Sequence, residues 1–340
     1  MNDFKSELSN IEDVYRFKIE VPYDVKFVCS YLFKLGDKNI LFDAGLDLSN
    51  WSKSFFTLLK DTGISINEID YCIVSHHHVD HIGLLTKLKR QNPKIQILMN
   101  EITNQILKKE NDVKNYKEIE DEAKKLIKKM IEFGLKENDG KKMIRWFMMW
   151  PRLRKYHEPD KLLHDNDEIS FGTNKISIIW TPGHSLGHIC VFDHTNKHLY
   201  SGDHILSGIT PHIGNFIVNP LLDEKYNFEN ILEHYLKSLD RIDKLNPKII
   251  FPAHQEVIYN PHERILEIKN HHQNRLNDIS SIIENNPMTA LKISQMHFGK
   301  DLDPINSFLA LSEVVAHLVF LEKQDKVRRI ERNGKYLFTC

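Results

Sequence analysis

A nine-residue segment, Ser75-His76-His77-His78-Val79-Asp80-His81-Ile82-Gly83, constrains this chain more than any other. It follows the apolar run Tyr71-Cys72-Ile73-Val74, which reads as a buried strand, so the strand ends by delivering imidazoles and a carboxylate into one short loop. His76 and His78 are two apart and project to the same side of an extended segment. Asp80 and His81 follow where the chain can turn back. These are metal-ligand side chains at metal-ligand spacing.

The same pattern recurs three times. Residues 176–180 lead into Thr181-Pro182-Gly183-His184, residues 198–200 into Ser201-Gly202-Asp203, and residues 248–251 into Pro252-Ala253-His254. Each apolar run ends beside a Pro or Gly that breaks the strand and turns a polar side chain outward. Any one of these residues alone would more often be a capping or core-satisfying group. Together, five His and two Asp suffice for two divalent ions with three private ligands each and one shared carboxylate.

The motifs SHHHVDHIG, TPGHSLGHI, SGDHIL and FPAHQEV, in that order, resemble the metallo-β-lactamase-fold hydrolases, and within them the glyoxalase II-like branch. The resemblance spans roughly residues 20–260 apart from an insertion. It implies an αββα sandwich of α/β class, with His76, His78 and His184 on one metal, Asp80, His81 and His254 on the other, and Asp203 bridging both. Asp43, in Ile40-Leu41-Phe42-Asp43-Ala44-Gly45, is similar to the family's strand-end aspartate, which supports the site without ligating; it reads equally as a turn former before Gly45.

Departures from related branches narrow the chemistry. Antibiotic-hydrolysing relatives carry Cys where Asp203 stands or lack the bridging carboxylate, and flavodiiron proteins carry Glu at the position of His78 and add a flavin domain. The tRNA 3′-processing nucleases have a further His-bearing motif between Asp203 and His254; here His234 falls on an amphipathic helix. Two metals sharing a water lower its pKa toward neutrality and clamp the attacking and developing oxygens, so a metal-bridging hydroxide is the expected nucleophile and Asp80 its orienting group. Zinc is the expected metal, and the same donors accept iron or manganese. No protein nucleophile is called for: Cys29, Cys72, Cys190 and Cys340 form no CxxC pair, and no Ser lies in a G-x-S-x-G elbow.

At 340 residues the chain exceeds one ordinary domain, and its net charge of -1 gives no global attraction to nucleic acid. The polar N-terminus, the absence of an 18-residue apolar run and scattered cysteines lead us to expect a cytoplasmic protein with no membrane partner. Domains are expected at residues 1–261, catalytic with a helical insertion at 103–161, and 262–340. The insertion holds 16 Lys/Arg against 11 Asp/Glu, with apolar Ile119, Ala123, Leu126, Ile127 and Met130 at helical spacing. Its end carries Trp146, Phe147 and Trp150 beside Arg145, Arg152 and Arg154, read either as a lid contacting an anionic small-molecule substrate or as a helix anchored on the sandwich.

The tail reads as three helices and a hairpin around Asn333-Gly334, an order that resembles a winged helix. Its 11 Lys/Arg against 10 Asp/Glu make nucleic-acid binding the less favoured role, and packing or homodimerisation the favoured one. The expected activity is therefore hydrolysis of a small thioester or ester of acyl-CoA or acyl-glutathione type. The alternative is a phosphodiesterase or endoribonuclease of the winged-helix-bearing subgroup. The glutathione-contact segment of glyoxalase II itself has no counterpart in this tail.

Overall fold

The structure, a computed structural model, describes residues 5–21, 25–48, 50–214, 225, 228–284 and 286–340; the side chain of Trp150 lies outside the described residues. In chain order the elements are β1 (Ser6–Ile11), β2 (Val14–Glu20), β3 (Phe27–Leu35), β4 (Lys38–Phe42), α1 (Trp51–Asp61), β5 (Ile69–Val74), α2 (Val79–Ile82), α3 (Leu85–Gln91), β6 (Gln96–Asn100) and α4 (Glu101–Asn111). Then come α5 (Tyr116–Glu132), α6 (Glu137–Phe147), α7 (Trp150–Leu153), β7 (Lys161–Leu163), β8 (Glu168–Phe171), β9 (Asn174–Trp180), β10 (Ile189–Asp193) and β11 (His198–Gly202). The chain ends with α8 (Ile231–Leu245), β12 (Ile249–Pro252), α9 (Pro261–Ile283), α10 (Ala290–Phe298), α11 (Pro304–Glu322), β13 (Arg328–Arg332) and β14 (Lys335–Thr339).

Two compact units result: Met1–Asn111, Leu153–Pro211 and Arg241–Ile265 form the first, and Asp112–Arg152, His212–Asp240 and Leu266–Cys340 the second. The segment read as an insertion thus divides, α5 and α6 joining the unit that holds most of the tail.

The first unit is the αββα sandwich. One sheet runs β1-β2-β3-β4-β5-β6-β7 and the other β12-β11-β10-β9-β8. Aromatic side chains from both sheets make the layer between them: Phe33 stacks on Tyr200 at 4.1 Å between centroids, and Tyr200 on Phe251 at 5.3 Å. Such side chains contribute about 1.5–3 kcal/mol each on full burial. On the outer face of the larger sheet, Trp51 and Phe55 of α1 and Leu85 and Leu88 of α3 cover Phe17, Leu32 and Ile97. Strand β1 escapes sequence reading because SELSNI is a polar edge strand whose side chains are exposed or half-buried, with no apolar alternation.

In the second unit α11 is buried along Phe308, Leu311, Val314, Val315 and Leu318. Length and composition alone would let this helix cross a membrane, with a mean hydropathy of 1.6, but 67% of it is buried inside the protein. Ser307, Ser312, Glu313 and His317 interrupt the apolar run, which is why no 18-residue stretch stands out in the sequence. The three helices and hairpin of the tail form as their periodicity predicts. Asn333 and Gly334 at φ +52° and +67° meet the left-handed requirement of the tight turn between β13 and β14.

Candidate metal centre

Each strand-end segment delivers its side chain to one place in the first unit. Asp43 follows β4, residues 75–81 follow β5, His184 follows β9, Asp203 follows β11 and His254 follows β12. Ligand atoms of His76, His78, His184 and Asp203 lie within 4.8 Å of one another, and those of Asp80, His81 and His254 do likewise. Asp203 joins the two groups. Its Oδ2 lies 3.3 Å from His184 Nε2 and 3.9 Å from His76 Nε2, while its Oδ1 lies 3.5 Å from His81 Nε2 and 3.4 Å from His254 Nε2. Asp80 turns Oδ2 to His254 Nε2 at 3.5 Å and Oδ1 to His81 Nε2 at 3.8 Å.

The imidazoles are aimed from behind. Asp43 is fully buried at φ +62°; its Oδ1 accepts the Ser75 backbone N–H at 2.7 Å, and its Oδ2 accepts the Ser75 hydroxyl at 2.9 Å and His81 Nδ1–H at 2.7 Å. With its proton given to Asp43, Ser75 Oγ accepts His76 Nδ1–H at 3.0 Å. His254 Nδ1–H donates to the Phe27 carbonyl at 2.7 Å. In His76, His81 and His254 the Nε2 lone pair therefore faces the centre.

Sequence reasoning missed three groups here. His188 Nε2 accepts the Asp203 backbone N–H at 3.1 Å, which places its other proton on Nδ1, 2.7 Å from Thr181 Oγ1. A Cβ at Gly202, whose φ is +50°, would lie 2.8 Å from both His188 Nε2 and Ser75 Cβ, so only glycine lets the chain reach Asp203 here. His77 and Ser185 join the two loops that bear His76, His78 and His184, with Nδ1 and Oγ 3.0 Å apart. The second histidine of TPGHSLGHI was the available signal for His188.

Electrostatics divide the cluster. Burial, reinforced by neighbouring imidazoles, holds His76 and His78 well below the usual histidine range, and burial lowers His184. Burial opposes charge on His81 and His254 as well, but Asp43, Asp203 and Asp80 outweigh it at His81, and Asp203 and Asp80 raise His254 to about 9. Burial would raise Asp203, yet His254 and His81 hold it well below the carboxylate range. One side thus offers neutral nitrogens and the other a concentrated negative field. Both are what a divalent cation takes from its ligands.

The fit to metal is visible in unpartnered atoms. His76 Nε2, His81 Nε2, His184 Nδ1 and Asp203 Oδ1 are buried with no hydrogen-bond partner among the protein groups. Buried polar atoms ordinarily have one, and here all but His184 Nδ1 point into the shared space. The donor set of five imidazoles and two carboxylates suits divalent transition metals.

Of the cations read from sequence as substrate contacts, Arg154 falls in the first unit and Arg145 and Arg152 in the second. Arg154 is buried, and its Nη1 spans both oxygens of Glu110 at 2.6 and 2.5 Å. Its charge helps hold His77 and His78 neutral. Arg145, on α6, and Arg152, on α7, are exposed and belong to the second unit. Phe147 packs on Phe308 within that unit, its rings 5.5 Å apart, and so anchors α6 there.

An αββα sandwich with a His/Asp cluster at its strand ends defines a metallo-hydrolase class. Residues 23–254 match the model of the Metallo-beta-lactamase superfamily, and the chain belongs to that superfamily. Residues 276–339 match the Metallo-beta-lactamase-like, C-terminal domain. The chain is similar to the Probable metallo-hydrolase YqjP of Bacillus subtilis, at 27% identity over 326 residues, covering 93% of this chain and 94% of that one. It is also similar to a Beta-lactamase-like protein 2 homolog of Caenorhabditis elegans, at 23% identity, covering 82% and 73%. Among solved structures, a metallo-beta-lactamase family protein from Thermus thermophilus shares the fold at TM-score 0.75 and 22% identity over 97% of this chain and 99% of that one. A beta-lactamase domain protein from Burkholderia ambifaria does so at TM-score 0.78 and 19% identity, covering 98% and 94%.

Proposed function

We propose that this protein is a dinuclear metal-dependent hydrolase of small thioesters or esters of acyl-CoA or acyl-glutathione type. The observation that carries the reading is the two-sided engagement of Asp203, whose two oxygens face different groups of imidazoles. His76, His78, His184 and Asp203 Oδ2 would hold one ion, and Asp80, His81, His254 and Asp203 Oδ1 the other. Divalent ions bound there, zinc by default, supply Lewis acidity and ionise water at neutral pH. Asp80 would hold an ion through one oxygen and could orient the attacking water through the other. Ester and thioester substrates are supported by the resemblance of the four motifs to the glyoxalase II-like branch.

A second reading is a phosphodiesterase. It is favoured by the winged-helix-like order of α9, α10, α11 and the hairpin, and by Lys326, Arg328, Arg332 and Lys335, all exposed around that hairpin. Buried free Cys29, Cys72 and Cys190 fit a reducing, cytoplasmic setting.

The test is a substrate panel of acyl-CoA and acyl-glutathione thioesters beside single-stranded RNA and bis-p-nitrophenyl phosphate, run with wild type and Asp203→Ala. Thioester hydrolysis lost in the variant is the expected result. Cleavage of RNA alone, equally lost, would replace the first reading by the second. Metal analysis should give about two ions per chain, and one or none would end the dinuclear account.

A further inference from the structure

The loop that follows Asp203 is fixed by a residue the metals do not need directly. Gln255 comes immediately after His254 and sits in the left-handed region, at φ +66°. This conformation is uncommon for a residue other than Gly, Asn or Asp, and it sends the Gln255 side chain and carbonyl to different partners. The side-chain Oε1 accepts the backbone N–H of Gly208 at 2.5 Å and of Ile209 at 3.2 Å. The Gln255 carbonyl accepts Arg16 Nη2–H at 2.5 Å.

Arg16 is itself buried on β2. Its Nη1 donates to Glu256 Oε2 at 2.7 Å and its Nε to Cys29 Sγ at 3.2 Å, so the guanidinium has partners on both sides of the backbone it holds. A buried charge is tolerated only with such a full set of partners. The loop is held from its other side too. Arg264 donates to the carbonyls of Leu206 at 2.7 Å and Ile209 at 2.9 Å, and Ser207 Oγ accepts the Glu256 N–H at 3.1 Å.

Three links therefore bind the segment of Asp203 to that of His254, the Ser207–Glu256 bond and two brackets nearer the candidate ligands. The first is the strand pairing, where Ala253 N–H donates to the Gly202 carbonyl at 2.9 Å. Strand pairing alone does not reach Gly208 and Ile209, whose N–H groups bond to Gln255. The second bracket is Gln255, and between the two lies the 3.4 Å approach of His254 Nε2 to Asp203 Oδ1.

We infer that Gln255, held by Arg16, is a positioning residue that sets the separation of Asp203 from His254 and so governs the affinity of the ion these two would share. The inference rests on the dinuclear reading given above. Its specific content is that one ion depends on Gln255 more than the other does, because His76, His78 and His184 are positioned by other contacts.

The variants are Gln255→Met, which keeps length and removes the acceptor, and Gln255→Glu, whose carboxylate oxygen can accept the same two N–H groups. Each protein is stripped, then titrated with cobalt(II) against a chelator while the visible d–d spectrum is followed. Gln255→Met should weaken one of two equivalents by about 10- to 100-fold, the range for lost outer hydrogen bonds to metal ligands, with the larger spectral change at that equivalent, since the other shares only Asp203. Gln255→Glu should restore it. Equal affinities in wild type and Gln255→Met overturn the inference, as does equal weakening of both equivalents. If wild type takes up fewer than two equivalents, the dinuclear reading fails instead. Should Gln255→Met not fold, amide exchange in the metal-loaded wild type decides: slow exchange at Gly208 and Ile209 supports the bracket, and free exchange refutes it.

Discussion

His81 and Asp43 form a fully buried pair in which Nδ1 lies 2.7 Å from Oδ2, and that carboxylate reaches Ser75 through both its backbone and its hydroxyl. One aspartate thus sets the tautomers of His81 and, through Ser75, of His76, one imidazole from each half of the centre. Asp43→Asn keeps the left-handed backbone at φ +62°, which Asn tolerates, but its amide cannot accept every bond the carboxylate accepts. Metal affinity should fall about 10- to 100-fold in chelator competition. Unchanged affinity would remove Asp43 from the site.

Gly202→Ala should destabilise the protein by more than about 1 kcal/mol, because the left-handed backbone and the 2.8 Å approaches to His188 and Ser75 both oppose a Cβ. His188→Leu should cost about 1–3 kcal/mol by leaving the buried Asp203 N–H without its acceptor. Denaturant unfolding of the stripped proteins measures both. A midpoint equal to wild type in either variant contradicts the corresponding contact.

Removing metal should lower the melting temperature. Three buried atoms that face the shared space, His76 Nε2, His81 Nε2 and Asp203 Oδ1, have no protein hydrogen-bond partner, so the folded chain should bind ions that the unfolded chain holds poorly. At a hundredfold excess over Kd each ion adds about 2.7 kcal/mol. Calorimetry with and without a chelator tests this, and identical melting curves would count against a metal centre.

Acid should weaken the second unit through His272 and His317. These buried residues lie 3.1 Å apart, Nδ1 to Nε2, and His317 Nδ1–H donates to the Glu313 carbonyl at 2.7 Å. Burial pushes His272 down to about 2 and His317 well below the histidine range, with Arg275 and His271 adding to both and His297 and His212 to His317. Because the folded pKa values are depressed, the unfolded chain binds protons below its own pKa of about 6.5 while the folded one does not. Stability is therefore full above that value and falls as pH drops, by about 1.4 kcal/mol per pH unit for each histidine. Unfolding midpoints between pH 7 and pH 5 should fall more steeply in wild type than in His272→Phe, and parallel curves would refute the assignment.

Much of this site is legible in the chain itself. Each donor follows an apolar run, with a strand breaker nearby at His184, Asp203 and His254, so residue type and place coincide at these positions and at His76. His188, Ser75 and Gln255 were not legible. Their roles depend on which backbone N–H or ring nitrogen lies opposite them, and partners such as Asp43 and Ser75 are 32 residues apart in the chain. Arg154 shows the converse: a cation in a suggestive context is buried against Glu110, 44 residues away.

By itself the sequence determined where His and Asp residues follow apolar runs, because strand periodicity and strand-end chemistry are local, and the resemblance of its four motifs to a known family implied the sandwich and the seven-donor set. Only the tertiary structure decided which oxygen of Asp203 faces which group of imidazoles, that Asp43 and His188 aim their neighbours, and that α5 and α6 join the C-terminal unit. Those outcomes depend on distances between strand ends, which packing of the two sheets sets and no local pattern encodes.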